Sequence, residues 1–348
     1  MVKSTIFECE MKDKKKILFI HTTWSTFVKT DFEILSGQFK VIRYQFRPVK
    51  GLPKTALQFG KQFFYLLFQI WKYDAVFIWF ADYHSFLPVI FAKLTGKKSF
   101  LVIGGYDVVK MPELNYGVFT SKIRGFCAQF SMKQSSMNLA VSKNVERKVR
   151  WIAPKANTRM LYNCVNISAN REIQIEKENL VITVGLIDSE RTFFLKGMDT
   201  FIKVAETLPE VKFMAVGISK NLPSHLLKPH PINLEWIERV KHEELEGYYK
   251  KAKIYCQFSR SESFGVSIVE AMSFGCIPVV TNVGGMPELV RDFGIVAKRD
   301  ASEISDSIKK AIKNEFQPEL DSNVKSALKP FLFKEREKSL LNIMNQLL

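Results

Sequence analysis

Cysteine is scarce in this 348-residue chain: five residues, Cys9, Cys127, Cys164, Cys256 and Cys276, with no C-x-x-C pair and no zinc-ligand spacing. That excludes a disulfide-stapled scaffold and a zinc ribbon, and it suits a reducing compartment. Cys256 and Cys276 sit in apolar, strand-like runs and read as buried small residues. Long hydrophobic runs are also lacking. The nearest, residues 62–71, stands between Lys61 and Lys72 and falls well short of the roughly 18 apolar residues of a membrane-spanning helix. Residues 1–16 mix Glu8, Glu10 and Asp13 with lysines and have no apolar centre, so a secretion signal is not expected. Glycine and proline are scattered without a repeat period, which excludes collagen-like and solenoid architectures.

Acidic residues are scarce in one half only. Residues 1–165 hold 26 Lys and Arg against ten Asp and Glu, whereas residues 166–348 hold 25 of each. The whole net charge of +16 therefore belongs to the first half. A basic half implies an anionic partner: nucleic acid, an acidic membrane surface or an anionic substrate. The surplus is spread along the half and no nucleic-acid reader motif accompanies it, so nucleic acid is not the expected partner.

With 47% hydrophobic residues the chain has apolar material for two cores. Short apolar runs at 15–20, 40–44, 75–80, 99–103 and 138–141 read as strands of a parallel sheet, with helices at 30–36, 56–71, 86–94 and 121–135 between them. The alternation restarts after Asn163. Strands are expected at 180–185, 212–217, 232–237, 254–258, 277–281 and 294–296, and helices at 197–208, 243–252, 267–274, 287–291 and 301–314. Residues 161–170 are polar and Asn-rich, as a linker would be. The fold class is thus α/β, with two doubly wound halves whose ligand sites lie outside the C-terminal strand ends, facing each other across a cleft.

One helix raises a question of its own. Residues 56–71 carry Phe59, Phe63, Phe64, Leu67, Phe68 and Trp71. The stripe suits a core. The flanking Lys54, Lys61 and Lys72 also fit a helix lying in a membrane interface.

The chemistry concentrates in residues 259–288, SRSESFGVSIVEAMSFGCIPVVTNVGGMPE. A strand ends, a loop holds Glu262, and Gly265 opens a helix that carries Glu270. Unpaired N–H groups at such a helix start attract an anion. A carboxylate accepts two hydrogen bonds and so suits a vicinal diol: Glu270 a ribose, Glu262 a second sugar. A second glycine loop follows at Val283-Gly284-Gly285. The block E-S-F-G-V-S-I-V-E-A-M, with G-x-P-V-V-x-x-x-x-G-G-x-P-E after it, resembles the donor-site signature of retaining glycosyltransferases of family 4, which have the GT-B fold of two facing Rossmann-like domains. Its two glutamates are eight positions apart, as in the family's E-x7-E motif.

The resemblance implies more. It implies domains over 1–165 (acceptor-binding) and 166–330 (donor-binding), and a last helix over 331–348 that returns to the first domain. Val184-Gly185, then Lys196-Gly197-Met198-Asp199, resemble the strand and K-G-x-D helix start that meet a diphosphate. Leu186 stands where the family has arginine, and Arg191 is the substitute. Ser263, Phe264, Gly265 and Val266 would border the donor, and Arg239 and Val240 the base. Gly104-Gly105-Tyr106-Asp107 resembles the family's H-G-x-D, with Asp107 on the acceptor side and Gly104 in place of His. His21-Thr22-Thr23 lacks the glycines of the corresponding loop, and His84 reads as a satisfied loop histidine. The implied catalytic set is Glu262, Lys196, Arg191 and Asp107. The implied activity is a metal-independent hexosyltransferase moving a sugar from a UDP- or GDP-sugar to a saccharide or lipid-linked acceptor, in polysaccharide or glycolipid synthesis. The donor is a co-substrate, and no cofactor is expected. With the basic half, the expected location is the cytoplasm, peripherally on the inner membrane face. A GT-B nucleotide-sugar epimerase and a non-catalytic glycosyltransferase-like partner protein are the alternatives.

Overall fold

The computed structural model of the chain describes residues 14–166, 177–315 and 326–348. Cys9 and the part of the expected linker beyond Asn166 lie outside the described residues. The chain divides into two compact units, Met1–Tyr162 with Arg336–Leu348, and Asn163–Glu335.

In the first unit six parallel strands, β1 (Lys16–His21), β2 (Lys40–Gln45), β3 (Ala75–Trp79), β4 (Lys98–Ile103), β5 (Met137–Ala140) and β6 (Thr158–Met160), lie in the order β2-β1-β3-β4-β5-β6. Ile17 to Ile20 and Ala75 to Trp79 are fully buried, which is why these strands read as unbroken apolar runs. β6 was not expected from sequence. It has three residues, only Thr158 buried, and no apolar run announces it. The helix Lys143–Ile152 was also missed, because its basic residues mask Val145, Val149 and Ile152 on one face.

The helix Leu52–Gln69 corrects the core reading of the aromatic stripe. Its buried residues are Gln62 and Leu66, while Phe64 is 59% exposed and Phe68 and Trp71 are 66% exposed. A helix with apolar residues around most of its circumference can seat only one face. Here the seated face is the one whose Gln62 Nε2 donates to His84 O at 3.0 Å, so the aromatic face turns outward.

The last helix, Phe333–Leu347, packs within this same first unit from Arg336 onward. Arg336 Nε and Nη2 donate to the two carboxylate oxygens of Asp31 at 2.6 and 2.7 Å. Its Nη1 donates to Leu161 O at 3.1 Å and to Tyr162 O.

The second unit holds β7 (Glu178–Ile187), β8 (Lys212–Ile218), β9 (Leu234–Glu238), β10 (Ala252–Gln257), β11 (Ile277–Thr281) and β12 (Ile295–Ala297), all parallel, in the order β12-β11-β10-β7-β8-β9. The chain reverses its direction of travel across the sheet between β7 and β10. In doubly wound sheets ligands bind at that switch point, outside the C-terminal strand ends. Phe201, Phe213, Phe258 and Val279 belong to the core beneath it. The stretch before Lys196, outside the expected strands and helices, is a helix, Glu190–Leu195, whose start is capped by Ser189. Among the described residues no helix is long and apolar enough to cross a membrane.

Candidate active site

Two loops meet at the switch point and lock together. The helix Glu190–Leu195 ends at Lys196, and Gly197 turns the chain with φ +74° into the helix Met198–Thr207. A Cβ on Gly197 would stand 2.0 Å from Phe258 O, so only glycine lets this turn press against the end of β10. Arg260 then ties the loops: its N–H donates to Leu195 O at 2.8 Å, and its guanidinium grips both oxygens of Asp199 at 2.7 and 2.6 Å. This brace carries Lys196 to Glu262. Lys196 Nζ donates to Glu262 Oε2 at 2.7 Å. Gln257 Nε2, at the end of β10, donates to the same oxygen at 2.7 Å.

The glycine loop after β11 supports Glu262 from behind. Gly285 N–H donates to Glu262 O at 3.0 Å. A Cβ on Gly284, whose φ is +62°, would fall 1.7 Å from that oxygen. Gly265 (φ +95°) then opens the helix Val266–Ser273, leaving the first-turn N–H groups beside Glu262. Phe264 is buried and packs edge-on against Phe331, which anchors the loop, while Ser263 and Val266 are half-buried. Gly185, Thr183, Met198 and Val216 line a small pocket with Lys196 and Gln257.

Glu270 lies farther along the helix. Tyr249 OH donates to its Oε2 at 3.2 Å, and His242 Nε2 stands 3.5 Å from Oε1. Burial raises its carboxyl above the ordinary range, against the opposing pull of His242 and the Tyr249 hydrogen bond. Tyr255, fully buried, donates to Ser267 Oγ at 2.7 Å, and Ser267 Oγ donates to Gln257 Oε1 at 3.2 Å, fixing the amide that faces Glu262.

Residues 167–329 match the model of glycosyl transferases group 1. The match covers just under half of the chain and gives that segment its likeness to the group 1 family. The chain is 26% identical over 228 residues to one of the phosphatidylinositol N-acetylglucosaminyltransferase subunits of Arabidopsis thaliana, covering 60% of this chain and 49% of that protein. The chain spans half or less of the length of the curated relatives it matches. In three dimensions it resembles sucrose-phosphate synthase of Thermosynechococcus elongatus, with a TM-score of 0.74 and 14% identity over 96% of this chain and 99% of that one. It also resembles HepE of Anabaena in complex with UDP and glucose, with a TM-score of 0.70 and 15% identity over 96% and 100%. These likenesses give the fold: GT-B.

Within the group 1 domain the sequence-derived residues sort into two sets. Lys196, Glu262, Gly265 and Gly185 come together at the switch point, and Glu270 follows on the adjoining helix. Arg191 does not join them by any contact of its own; it stands exposed on the helix Glu190–Leu195. Arg239 is exposed and Val240 half-buried just after β9. Gln257, Tyr249, His242 and the Arg260–Asp199 brace were missed. A polar Gln closing the apolar run of β10 was the available signal.

In the first unit Asp107, the expected acceptor-side group, is fully buried. Its oxygens accept the N–H groups of Gly105 at 2.6 Å, Ala81 at 3.0 Å and Gly104 at 3.2 Å. Through these bonds it holds together the loops after β3 and β4. Burial pushes its carboxyl up to about 6 despite those donors. Arg124, half-buried in the same unit, was missed from sequence. Arg124 pairs with both oxygens of Asp82 and lies over the rings of Tyr83 and Tyr106 at 5.6 and 5.5 Å. His84 is buried, with Nε2 2.9 Å from Trp79 O.

Proposed function

We propose that the chain is a retaining glycosyltransferase of the hexosyl type, moving a sugar from a UDP- or GDP-sugar to a saccharide or lipid-linked acceptor. The observation that carries this reading is the pairing of Lys196 with Glu262 beside the helix start at Gly265, at the switch point of the group 1 domain. Transfer breaks the anomeric C–O bond to the diphosphate, and negative charge grows on the leaving oxygen. Lys196 and the helix N-terminus would meet that charge, a task that asks for no metal. Glu262 would take hydroxyls of the donor sugar, and Glu270 those of the ribose. In the front-face route implied by the family resemblance, the acceptor hydroxyl forms the new C–O bond on the side the diphosphate leaves, and its proton passes to the leaving phosphate oxygen. Configuration is then kept. The solved HepE complex contains UDP and glucose, and the Arabidopsis relative is named for transfer to a phosphatidylinositol. Both support the donor and acceptor classes.

The test is a thermal-shift panel of UDP, GDP, ADP and their sugar conjugates on wild type and Glu270→Ala. A ligand at about 100 times its Kd stabilises the native protein by about 2.7 kcal/mol. One nucleotide should raise the wild-type melting point, and the variant should lose that rise. No shift with any nucleotide, in folded protein, sinks the reading and favours a non-catalytic partner.

A further inference from the structure

The helix Leu52–Gln69 is amphipathic in the wrong sense for a soluble protein. It seats Gln62 and Leu66 on its own unit and shows Leu57, Phe64, Leu67 and Phe68 to solvent, with Trp71 just beyond its end. A helical projection at 100° per residue puts these side chains on one outward face, with Lys54, Lys61 and Lys72 along one edge of it.

The neighbouring helices continue the same surface. The steps β2 to β3, β3 to β4, β4 to β5 and β5 to β6 all run the same way across the sheet. Right-handed crossovers therefore place their helices on one side. Phe63 packs against Phe91 at 5.5 Å, and Phe86 against Phe126 at 6.2 Å, so aromatic contacts run from helix to helix. Along this layer Leu94 is 79%, Ile123 73%, Phe126 61% and Trp151 85% exposed. An apolar surface of this extent marks an interaction site.

Charge identifies its occupant. Between Glu33 and Asp74 the sequence has seven Lys and Arg and no acidic residue. The helices Tyr83–Leu94 and Lys122–Gln134 contain no acidic residue either. Aromatic and leucine side chains framed by lysines match an anionic bilayer surface, where the rings enter the acyl boundary and the ammonium groups meet phosphates. A protein partner of ordinary mixed charge would leave those lysines unmatched.

We propose that this helical layer of the first unit, centred on Leu57, Phe64, Phe68 and Trp71, docks the protein on an anionic lipid surface. The proposal deepens the acceptor half of the function above by naming where the bilayer carrying a lipid acceptor would lie. Its readout is binding and needs no nucleotide sugar, so the two readings fail separately.

The experiment is co-sedimentation of the full chain with vesicles of phosphatidylcholine alone and of phosphatidylcholine with 30% phosphatidylglycerol, a fraction chosen as about that of an acidic leaflet. Wild type should partition at least tenfold better onto the anionic vesicles, and less so as salt is raised from about 0.1 to 0.5 M. The variant F64S/F68S/W71S should lose at least tenfold of that binding while keeping its melting point, since these side chains face solvent. The variant K54E/K61E/K72E should lose the preference for anionic lipid. Equal partition of wild type and the serine variant overturns the proposal. So does a wild-type dimer in sedimentation velocity that the serine variant converts to monomer without any vesicle binding by either, because the face would then cover a second copy of the chain.

Discussion

Lys196 and Glu262 reach each other from the two strands that flank the switch point, Lys196 following β7 and Glu262 following β10, and close to 2.7 Å. An ammonium so placed already has an anionic partner, and an arriving diphosphate must compete with it. Replacing Glu262 by Gln keeps the shape and removes the competitor. The pair is partly exposed, so its release is worth about 1 kcal/mol after solvent screening. Glu262→Gln should therefore bind a free nucleoside diphosphate several-fold more tightly by calorimetry, while its rate of sugar transfer falls at least tenfold for want of a charged hydroxyl acceptor. Unchanged diphosphate affinity would mean the two do not compete.

Lys196→Ala should lower turnover by about 10²–10³, the usual cost of removing one group that stabilises developing charge. Arginine in its place should restore part of the charge effect but not the point contact. In the Lys196→Ala background, Glu262→Gln should no longer tighten diphosphate binding. A double-mutant cycle on nucleoside diphosphate Kd reads this coupling directly, and strict additivity would disprove it.

Burial raises the Glu270 carboxyl, so ionising it at neutral pH costs the native state free energy. The sign is that of a raised acid: the native form binds its proton more readily than the unfolded chain, and the cost is present above the raised value and vanishes below it. Glu270→Gln should thus melt at the same or a higher temperature than wild type at pH 7, with the gap closing as the solution is acidified. It should also lose about tenfold in nucleoside affinity, because an amide has one acceptor oxygen where the carboxylate has two. A melting-point series from pH 4 to 8, with and without nucleotide, separates the two effects.

Much of this was legible in the sequence because the inner strands are buried on both faces and show it as unbroken apolar runs, and because glycine turns and carboxylates mark the strand ends. Gly265 and the spacing of Glu262 and Glu270 pointed to the candidate site at the switch point. The structure adds what depends on distant partners. Asp107 looks the same in sequence whether it faces a ligand or three backbone N–H groups. Arg191 stands close to Lys196 in sequence yet exposed on the preceding helix. The stripe from Phe59 to Trp71 names an apolar helix, but which face is seated depends on Gln62 finding His84 O, a contact no local pattern encodes. β6 and the helix Lys143–Ile152 escaped because charge, not apolar periodicity, dominates them.

Asp107 gives the first unit a pH signature. Its carboxyl rises to about 6 through burial, against about 4 in the unfolded chain. Between those values the native form holds more protons, so this group's contribution to stability falls as pH rises through the window. Asp107→Asn should flatten that part of the melting profile. It should also lower stability throughout by about 1–3 kcal/mol, because the amide NH2 cannot accept the N–H groups that bond the carboxylate oxygen it replaces, either that of Gly105 or those of Ala81 and Gly104. Scanning calorimetry at half-unit pH steps checks both, and a variant profile parallel to wild type between pH 4 and 6 would refute the assignment.

Arg336 and Asp31 are 2% and 0% exposed, and they join the last helix to the helix Thr26–Gln38. A buried pair is weak evidence of net stabilisation, because both charges left water to form it. Breaking it from one side is another matter. Arg336→Ala would leave the Asp31 carboxylate buried without its partner, and the carbonyls of Leu161 and Tyr162 without their donor, at a cost of about 3–5 kcal/mol. That should lower the melting temperature of the first unit by on the order of 10 °C. Arg336→Lys should recover little, since a single ammonium cannot meet two carboxylate oxygens and two carbonyls as the planar fork does. The double variant Asp31→Leu/Arg336→Met should recover most of the loss by replacing the pair with apolar volume. The group 1 domain does not contain this pair, so the rise in melting point given by nucleotide should persist in all three. If Arg336→Ala abolishes that rise while the protein stays folded, the last helix acts on the donor site and not only on the stability of its own unit.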